Sequence, residues 1–113
     1  MFRPSLIIVH HSATRDSGTV SWDAIRRYHV ETNKWKDIGY HAGVELVGDQ
    51  YVIQHGRPWT GPAAHTAGQN SRSLGFCFVG DYDAVEPSPA MLALAARAVL
   101  APWCRQFGIK PDD

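Results

Sequence analysis

Cysteine is scarce in these 113 residues: Cys77 and Cys104 are the only two, and neither belongs to a CxxC pair. Two cysteines at that spacing exclude a disulfide-stapled scaffold and a paired-thiol redox motif. Neither has a sequence setting electropositive enough to favour a thiolate nucleophile. Charge excess is missing as well. Eleven Lys and Arg balance eleven Asp and Glu, a formal net charge of +0. No overall field therefore draws the chain to nucleic acid or an anionic membrane, and no basic run with interleaved aromatics appears. Nucleic acid is not an expected partner. Long apolar runs are absent too. "MFRPSLIIVHH" carries a stretch too short for a signal peptide or a membrane span, so no membrane insertion is expected. As written, the chain is expected to stay in the compartment where it is made. There is no GxSxG elbow, phosphate loop or GxGxxG, which removes three common catalytic frames. No internal repeat, low-complexity segment or second domain is visible.

What is present suits one globular α/β domain over residues 1–113. Apolar residues make up 44% and charged residues 19%, ordinary globular composition, in a chain long enough to fold without staples. "SLIIVHH" (Ser5 to His11) is a continuous apolar run that fits a strand buried on both faces. "RDSGT" has turn composition. An amphipathic helix is expected from Ser21, its N-cap, to Thr32, with Ile25, Tyr28, His29 and Thr32 forming one stripe around Trp22. His41 to Val47 and Tyr51 to His55 flank "GDQ" as a hairpin. Arg57 to Ser73 lacks a period and is rich in Gly, Pro, Ser and Thr; a loop that long in a small domain is usually functional. "LGFCFVGDY" reads as another buried strand, with Cys77 as a small core residue. A last helix runs from the N-cap Ser88 and Pro89 to Gly108, and Pro102 inside it should kink or split it. The order β-α-β-β-loop-β-α predicts a central mixed β-sheet flanked by helices.

Six histidines stand at positions 10, 11, 29, 41, 55 and 65. His10 and His11 end a strand, where side chains alternate faces, so only one can point at a given site. The crevice beyond strand carboxyl ends is the favoured ligand position of open α/β sheets. A neutral imidazole there suits zinc, copper or nickel ligation, or general-base work. Taken singly, most of the six would be expected only to hydrogen-bond a neighbouring loop. Tyr40 could donate to a developing oxyanion; without other context it is a core-edge tyrosine. His65 and Thr66 lie on the long loop, where function concentrates. Trp22 and Trp103 fall on helix stripes and read as core. Trp35 and Trp59 fall on loops and could wall a groove. Arg26 and Arg27 read as a solvated helix face. With the nucleophile and phosphate motifs excluded, elimination leaves a metal-bound water supported by His and Tyr.

Four stretches in order, "IIVHHSAT", "DIGYHAGV", "QHGRPW" and "AAHTAGQNSRSLGFCFVGDYD", resemble the type-2 N-acetylmuramoyl-L-alanine amidases, a family that includes phage lysozyme-type amidases and the peptidoglycan recognition proteins. The resemblance covers roughly residues 6 to 83. It implies a mixed sheet with helices on both sides and a substrate groove on one face. It also implies Zn²⁺ as cofactor and cleavage of the amide between N-acetylmuramic acid and the L-Ala of the stem peptide. Carried over by position, His10 is the first zinc ligand and Tyr40 the catalytic tyrosine, while His11 points away. Trp35 joins as a candidate substrate-binding residue. Arg57 and Trp59 match a groove-wall stretch in which Pro58 replaces the usual Gly. His65 and Thr66 match the groove-lining segment, and Asn70, Ser71 and Arg72 the stretch that shapes the loop before the next strand; Arg57, Trp59, His65, Thr66 and Asn70 are accordingly further candidate substrate-binding residues. The implied partner is peptidoglycan or a muropeptide, met by a monomer. Location would then be cytoplasmic until release onto the cell wall, as for a phage endolysin or an autolysin, or cytoplasmic in muropeptide recycling.

The family draws its second and third zinc ligands, a His and a Cys or Asp, from a segment after the last helix. This sequence reaches only "FGIKPDD", so the domain is expected to lack that ligand segment, with its remaining ligands beyond Asp113. Zinc held by His10 alone is not credible, because zinc sites use three or four protein ligands. The expected reading is the larger part of a zinc amidase. The alternatives are a peptidoglycan-binding module that does not cleave, or substitute ligands from His65, His11 or a partner chain.

Overall fold

The structure, a computed structural model, describes residues 2–11, 21–80 and 87–110. The turn expected at "RDSGT" and the end of the strand expected to reach Tyr82 lie outside these residues. Strands β1 (Leu6–His11), β2 (Ala42–Val47), β3 (Gln50–His55) and β4 (Ser73–Phe78) form one sheet in the order β1-β4-β2-β3. β4 runs parallel to both β1 and β2, and β3 is antiparallel to β2. The sheet is therefore mixed, as the element order predicts. The hairpin turns at Gly48, whose φ of 64° is readily adopted by glycine.

β4 organises the molecule. Its sequence "SLGFCF" alternates small and large residues, and every residue of it is buried. Leu74, Phe76 and Phe78 point to one face, where they join Val44, Met91, Ala95, Val99 and Trp103 in the main core. Cys77 packs on the other face with Trp22, Ile25, Ile38 and Val79. By strand alternation Ser73 and Gly75 share that second face with Cys77. In the parallel register Leu6, Ile8 and His10 lie beside Ser73, Gly75 and Cys77. His10 thus borders a strip of small side chains, which leaves room above the sheet, while His11 pairs with Phe78 on the opposite face.

Two expectations need correction. β1 is not buried on both faces: it is an end strand of the sheet, with Leu6 37% and Val9 49% exposed. The fully buried strand is β4, which has a parallel neighbour on each side. The first helix, α1 (Trp22–Arg27), carries a narrower apolar stripe than expected. Trp22 and Ile25 are buried, but Tyr28 is 57% exposed and Thr32 is also exposed. From Tyr28 to Thr32 the helix continues in π form, with Asn33 N–H bonded to the Tyr28 carbonyl at 3.2 Å. The wider turn moves these residues off the α-helical stripe.

Capping follows the sequence signals. Ser21 Oγ accepts the Ala24 N–H at 3.1 Å, and the carboxylate of Glu45 on β2 accepts the Trp22 N–H at 3.0 Å. The C-terminal helix starts as α2 (Pro89–Ala95), capped by Ser88, and ends as α3 (Ala101–Phe107) at Gly108, φ 66°. Pro102 splits it by changing the hydrogen-bond register. The π segment Ala96–Leu100 intervenes, and Ala101 N–H reaches the Ala96 carbonyl. A proline in the first turn of α3 leaves no donor unsatisfied there. Trp22 and Trp103 are core residues, as their helix positions imply. Arg26, by contrast, is more than a solvated helix charge. Its Nε lies 3.0 Å from Asp37 Oδ1 and its Nη2 donates to the His55 carbonyl at 3.1 Å.

Candidate active site

The strip of small side chains on β4, with His10 of β1 beside it, is roofed by the loop between β3 and β4. Ala64 N–H bonds the Gly39 carbonyl at 3.1 Å and Arg57 N–H the Tyr40 carbonyl at 3.0 Å, tying that loop to the segment before β2. Asn70 then shapes the loop from inside. Its Oδ1 accepts the backbone N–H of His65 at 3.0 Å and of Thr66 at 2.9 Å. The amide oxygen of this candidate substrate-binding residue is thus engaged in holding the backbone of His65 and Thr66.

His65 lies directly over Gly75, where any Cβ would approach its ring to 2.5 Å. Nδ1 of His65 stands 3.0 Å from Nε2 of His10, and Thr66 Oγ1 is 3.2 Å from each. On its far side His65 Nε2 is 3.1 Å from Ser73 Oγ, which donates its own proton to the Gln69 carbonyl at 2.7 Å. Tyr40 closes the end of the cluster, with its ring centroid 5.5 Å from that of His10.

Burial sets the protonation of the group. It lowers the pKa of His10, with a further push from His11, and takes His65 down to about 4, helped by the neighbouring His10. Burial likewise lowers His41. Burial and the adjacent Cys77 raise the Tyr40 phenol, and burial takes the Cys77 thiol up to about 12. At neutral pH the cluster therefore presents uncharged imidazoles and an intact tyrosine O–H, a hydrogen-bond donor with no charge of its own.

The other candidates take different places. Trp35 packs against His29 at 4.6 Å, and His29 Nδ1 accepts the Gly39 N–H at 2.9 Å, so both sit beside the Tyr40 backbone. Arg57 turns inward: its Nε donates to the Ile38 carbonyl at 2.9 Å and its Nη2 lies 3.4 Å from the Asp37 carbonyl. Trp59 packs edge-on against Trp103 at 5.4 Å, on the main-core side of the sheet. The structure therefore brings together His10, Tyr40, His65, Thr66 and Asn70. Trp35 and Arg57 adjoin through the segment before Tyr40, and Trp59 stands apart. Sequence reasoning missed Ser73, Gly75 and His29. A glycine inside the buried run "SLGFCF" was the available signal for Gly75.

The donors can be tested against zinc directly. His10 and His65 bring two ring nitrogens within 3.0 Å of each other, one donating to the other, with a threonine hydroxyl beside them. Among the described residues no three His, Cys, Asp or Glu side chains gather at one place. Zinc takes three or four protein ligands, so this donor set does not by itself make a zinc site.

The profile of the N-acetylmuramoyl-L-alanine amidase family matches residues 1–113. The N-acetylmuramoyl-L-alanine amidase of Mus musculus is similar at 33% identity over 113 residues, covering 94% of this chain and 21% of that protein. A peptidoglycan recognition protein of Bombyx mori is 39% identical over 101 residues, which is 85% of this chain and 50% of its own length. Among solved structures, bumblebee PGRP-SA is similar with a TM-score of 0.77 at 30% identity, over 97% of this chain and 66% of that one. The chain spans at most about half the length of these curated relatives. Since the family profile runs through every residue of the chain, and the mixed sheet with its helices is shared with the solved relative, this chain belongs to the N-acetylmuramoyl-L-alanine amidase family.

Proposed function

We propose that the chain binds peptidoglycan or its muropeptides in the groove above β1 and β4, and acts in hydrolysis of the amide between N-acetylmuramic acid and L-Ala. The observation that carries this reading is the convergence of His10, His65, Thr66 and Tyr40 on one sheet face. Membership of a family named for that hydrolysis supports it. In this reading the neutral Tyr40 O–H donates to the scissile carbonyl as its oxygen gains negative charge. Thr66 and the two imidazoles orient the group on the other side. Zinc dependence belongs to the proposal only through His10 as one ligand, with further donors coming from outside the described residues. No step is assigned to the metal.

A second reading is a module that binds peptidoglycan without cleaving it. Relatives named as peptidoglycan recognition proteins support it. One experiment separates the two. The protein is incubated with purified cell-wall sacculi, with zinc and with chelator, and both sedimented protein and newly exposed L-Ala amino groups are measured. Zinc-dependent release of amino groups supports the amidase. Co-sedimentation without release supports the module. Failure of both binding and release removes the peptidoglycan reading altogether.

A further inference from the structure

Ser73 is fully buried at the start of β4 and has a single hydroxyl proton, which goes to the Gln69 carbonyl. Toward His65 Nε2, at 3.1 Å, the same oxygen can then only accept. Nε2 of His65 must therefore carry the ring proton, and in the neutral imidazole the lone pair is left on Nδ1. That lone pair faces His10 Nε2 at 3.0 Å. Two lone pairs at that distance would repel, so Nε2 of His10 is the donor. The Ser73 hydroxyl thus sets the two tautomers in sequence, together with the Ser73 backbone, which also accepts from the His65 ring, and with Thr66 Oγ1, which lies 3.2 Å from the two facing nitrogens. The arrangement is fixed from other directions as well: Asn70 grips the His65 backbone, and Gly75 leaves the space in which the ring lies.

We propose that Ser73 is a positioning residue of the groove: by accepting Nε2–H of His65 it fixes that imidazole's tautomer, and through Nδ1 of His65 it binds the Nε2–H of His10, which leaves the lone pair of His10 on its Nδ1. A histidine whose remote N–H is bound to a fixed acceptor keeps its ring orientation and presents its other nitrogen with full basicity. Ser73 touches neither ligand nor reacting atoms in this scheme and acts only through His65. The proposal rests on the amidase reading for what the two imidazoles act upon, but the tautomers themselves are measurable without substrate.

The test is long-range ¹H–¹⁵N correlation of the histidine rings in the ¹⁵N-labelled chain, at neutral pH with chelator present. In the wild type His65 and His10 should each show protonation on Nε2 alone. In Ser73→Ala the His65 signature should become a mixture of both tautomers and the His10 signals should shift with it. Ser73→Thr, which keeps the hydroxyl, should restore the Nε2–H form. His41 is the internal control. Its Nδ1 accepts the Gly75 N–H at 3.0 Å and its Nε2 is 2.8 Å from the Gly61 carbonyl, so it should stay Nε2-protonated throughout. Wild-type His65 protonated on Nδ1 would overturn the proposal, and so would a Ser73→Ala protein whose His65 and His10 tautomers are unchanged. If Ser73→Ala does not fold, the wild-type spectrum decides alone. Inactivity on sacculi with the expected tautomers would count against the proposed hydrolysis and leave the role of Ser73 standing.

Discussion

The imidazole of His65 rests on the bare α-carbon of Gly75. A Cβ built there would lie 2.5 Å from Cγ of the ring, 2.7 Å from Cδ2 and 2.8 Å from Nδ1, closer than atoms can pack. The absence of a side chain at this one strand position lets a loop histidine reach the sheet surface and meet His10.

Gly75→Ala should therefore act through His65. Either the ring leaves the sheet or the strand shifts, and overpacking of this kind costs about 1–3 kcal/mol. Thermal denaturation should show the loss, and histidine ring NMR should show the His65–His10 contact broken. Combining Gly75→Ala with His65→Ala should cost clearly less than the two single changes added together, because the clash disappears with the ring. Simple additivity would mean that the two residues do not press on one another.

Asn70 offers a second test of how the loop is held. Its Oδ1 serves two backbone donors at once, those of His65 and Thr66. Asn70→Ala leaves both without that partner, which should cost about 1–3 kcal/mol in urea unfolding. Asn70→Asp keeps an acceptor oxygen and should retain most of the stability. Equal losses in the two variants would show that the acceptor is not what matters at this position.

These residues also show which parts were legible in the sequence. The hairpin, the caps at Ser21 and Ser88 and the stop at Gly108 were readable because turn and cap chemistry is local. His10, Tyr40 and His65 were singled out by position and resemblance, and the structure gathers them. The end-strand position of β1 was not readable, because "LIIV" has the same composition whether one face or two are covered. Pro102 announced a disturbance but not its form, since the register change is distributed over the preceding π segment. Ser73 gave no signal of its own. A serine opening a strand is unremarkable until a histidine eight residues earlier folds back onto it. Asn70 and Arg57 were polar loop residues suited to ligands, yet both direct polar atoms at the backbone of their own chain.

Tyr40→Phe separates chemistry from architecture. The phenol keeps its proton because burial and Cys77 raise its pKa, so its role in the proposed reaction is that of a neutral donor. Removing one donor to a developing oxyanion typically lowers turnover by about 100-fold. Phenylalanine keeps the ring contacts with His10, Trp22 and His29 and loses only the hydrogen bond between the phenol and Cys77, so folding should weaken slightly and sacculus binding should change little. A turnover equal to wild type in an active, zinc-loaded protein would assign the donor role elsewhere.

The buried imidazoles make a prediction about acid. His10, His29, His41 and His65 all have pKa values lowered from 6.5, first by burial, and His65 is lowered to about 4. In the unfolded chain each takes up a proton near its ordinary value, whereas in the native protein each stays neutral to lower pH. Between 6.5 and about 4 the unfolded state therefore binds more protons, and the free energy of unfolding must fall as pH falls through that window. The stability attached to these groups is fully present above 6.5 and is lost as pH passes through the native values. Most carboxylates begin to titrate only below about 5, so the range from 6.5 to 5 reports chiefly on histidines. Urea midpoints measured at pH 7.5, 6.5, 5.5 and 5.0 should fall steadily below 6.5. His65→Asn should flatten that slope, because it removes the group with the deepest shift. Midpoints that stay level down to pH 5.0 would mean that the imidazoles accept protons in place, and the neutral hydrogen-bond chain from Ser73 to His10 could not then persist in mild acid.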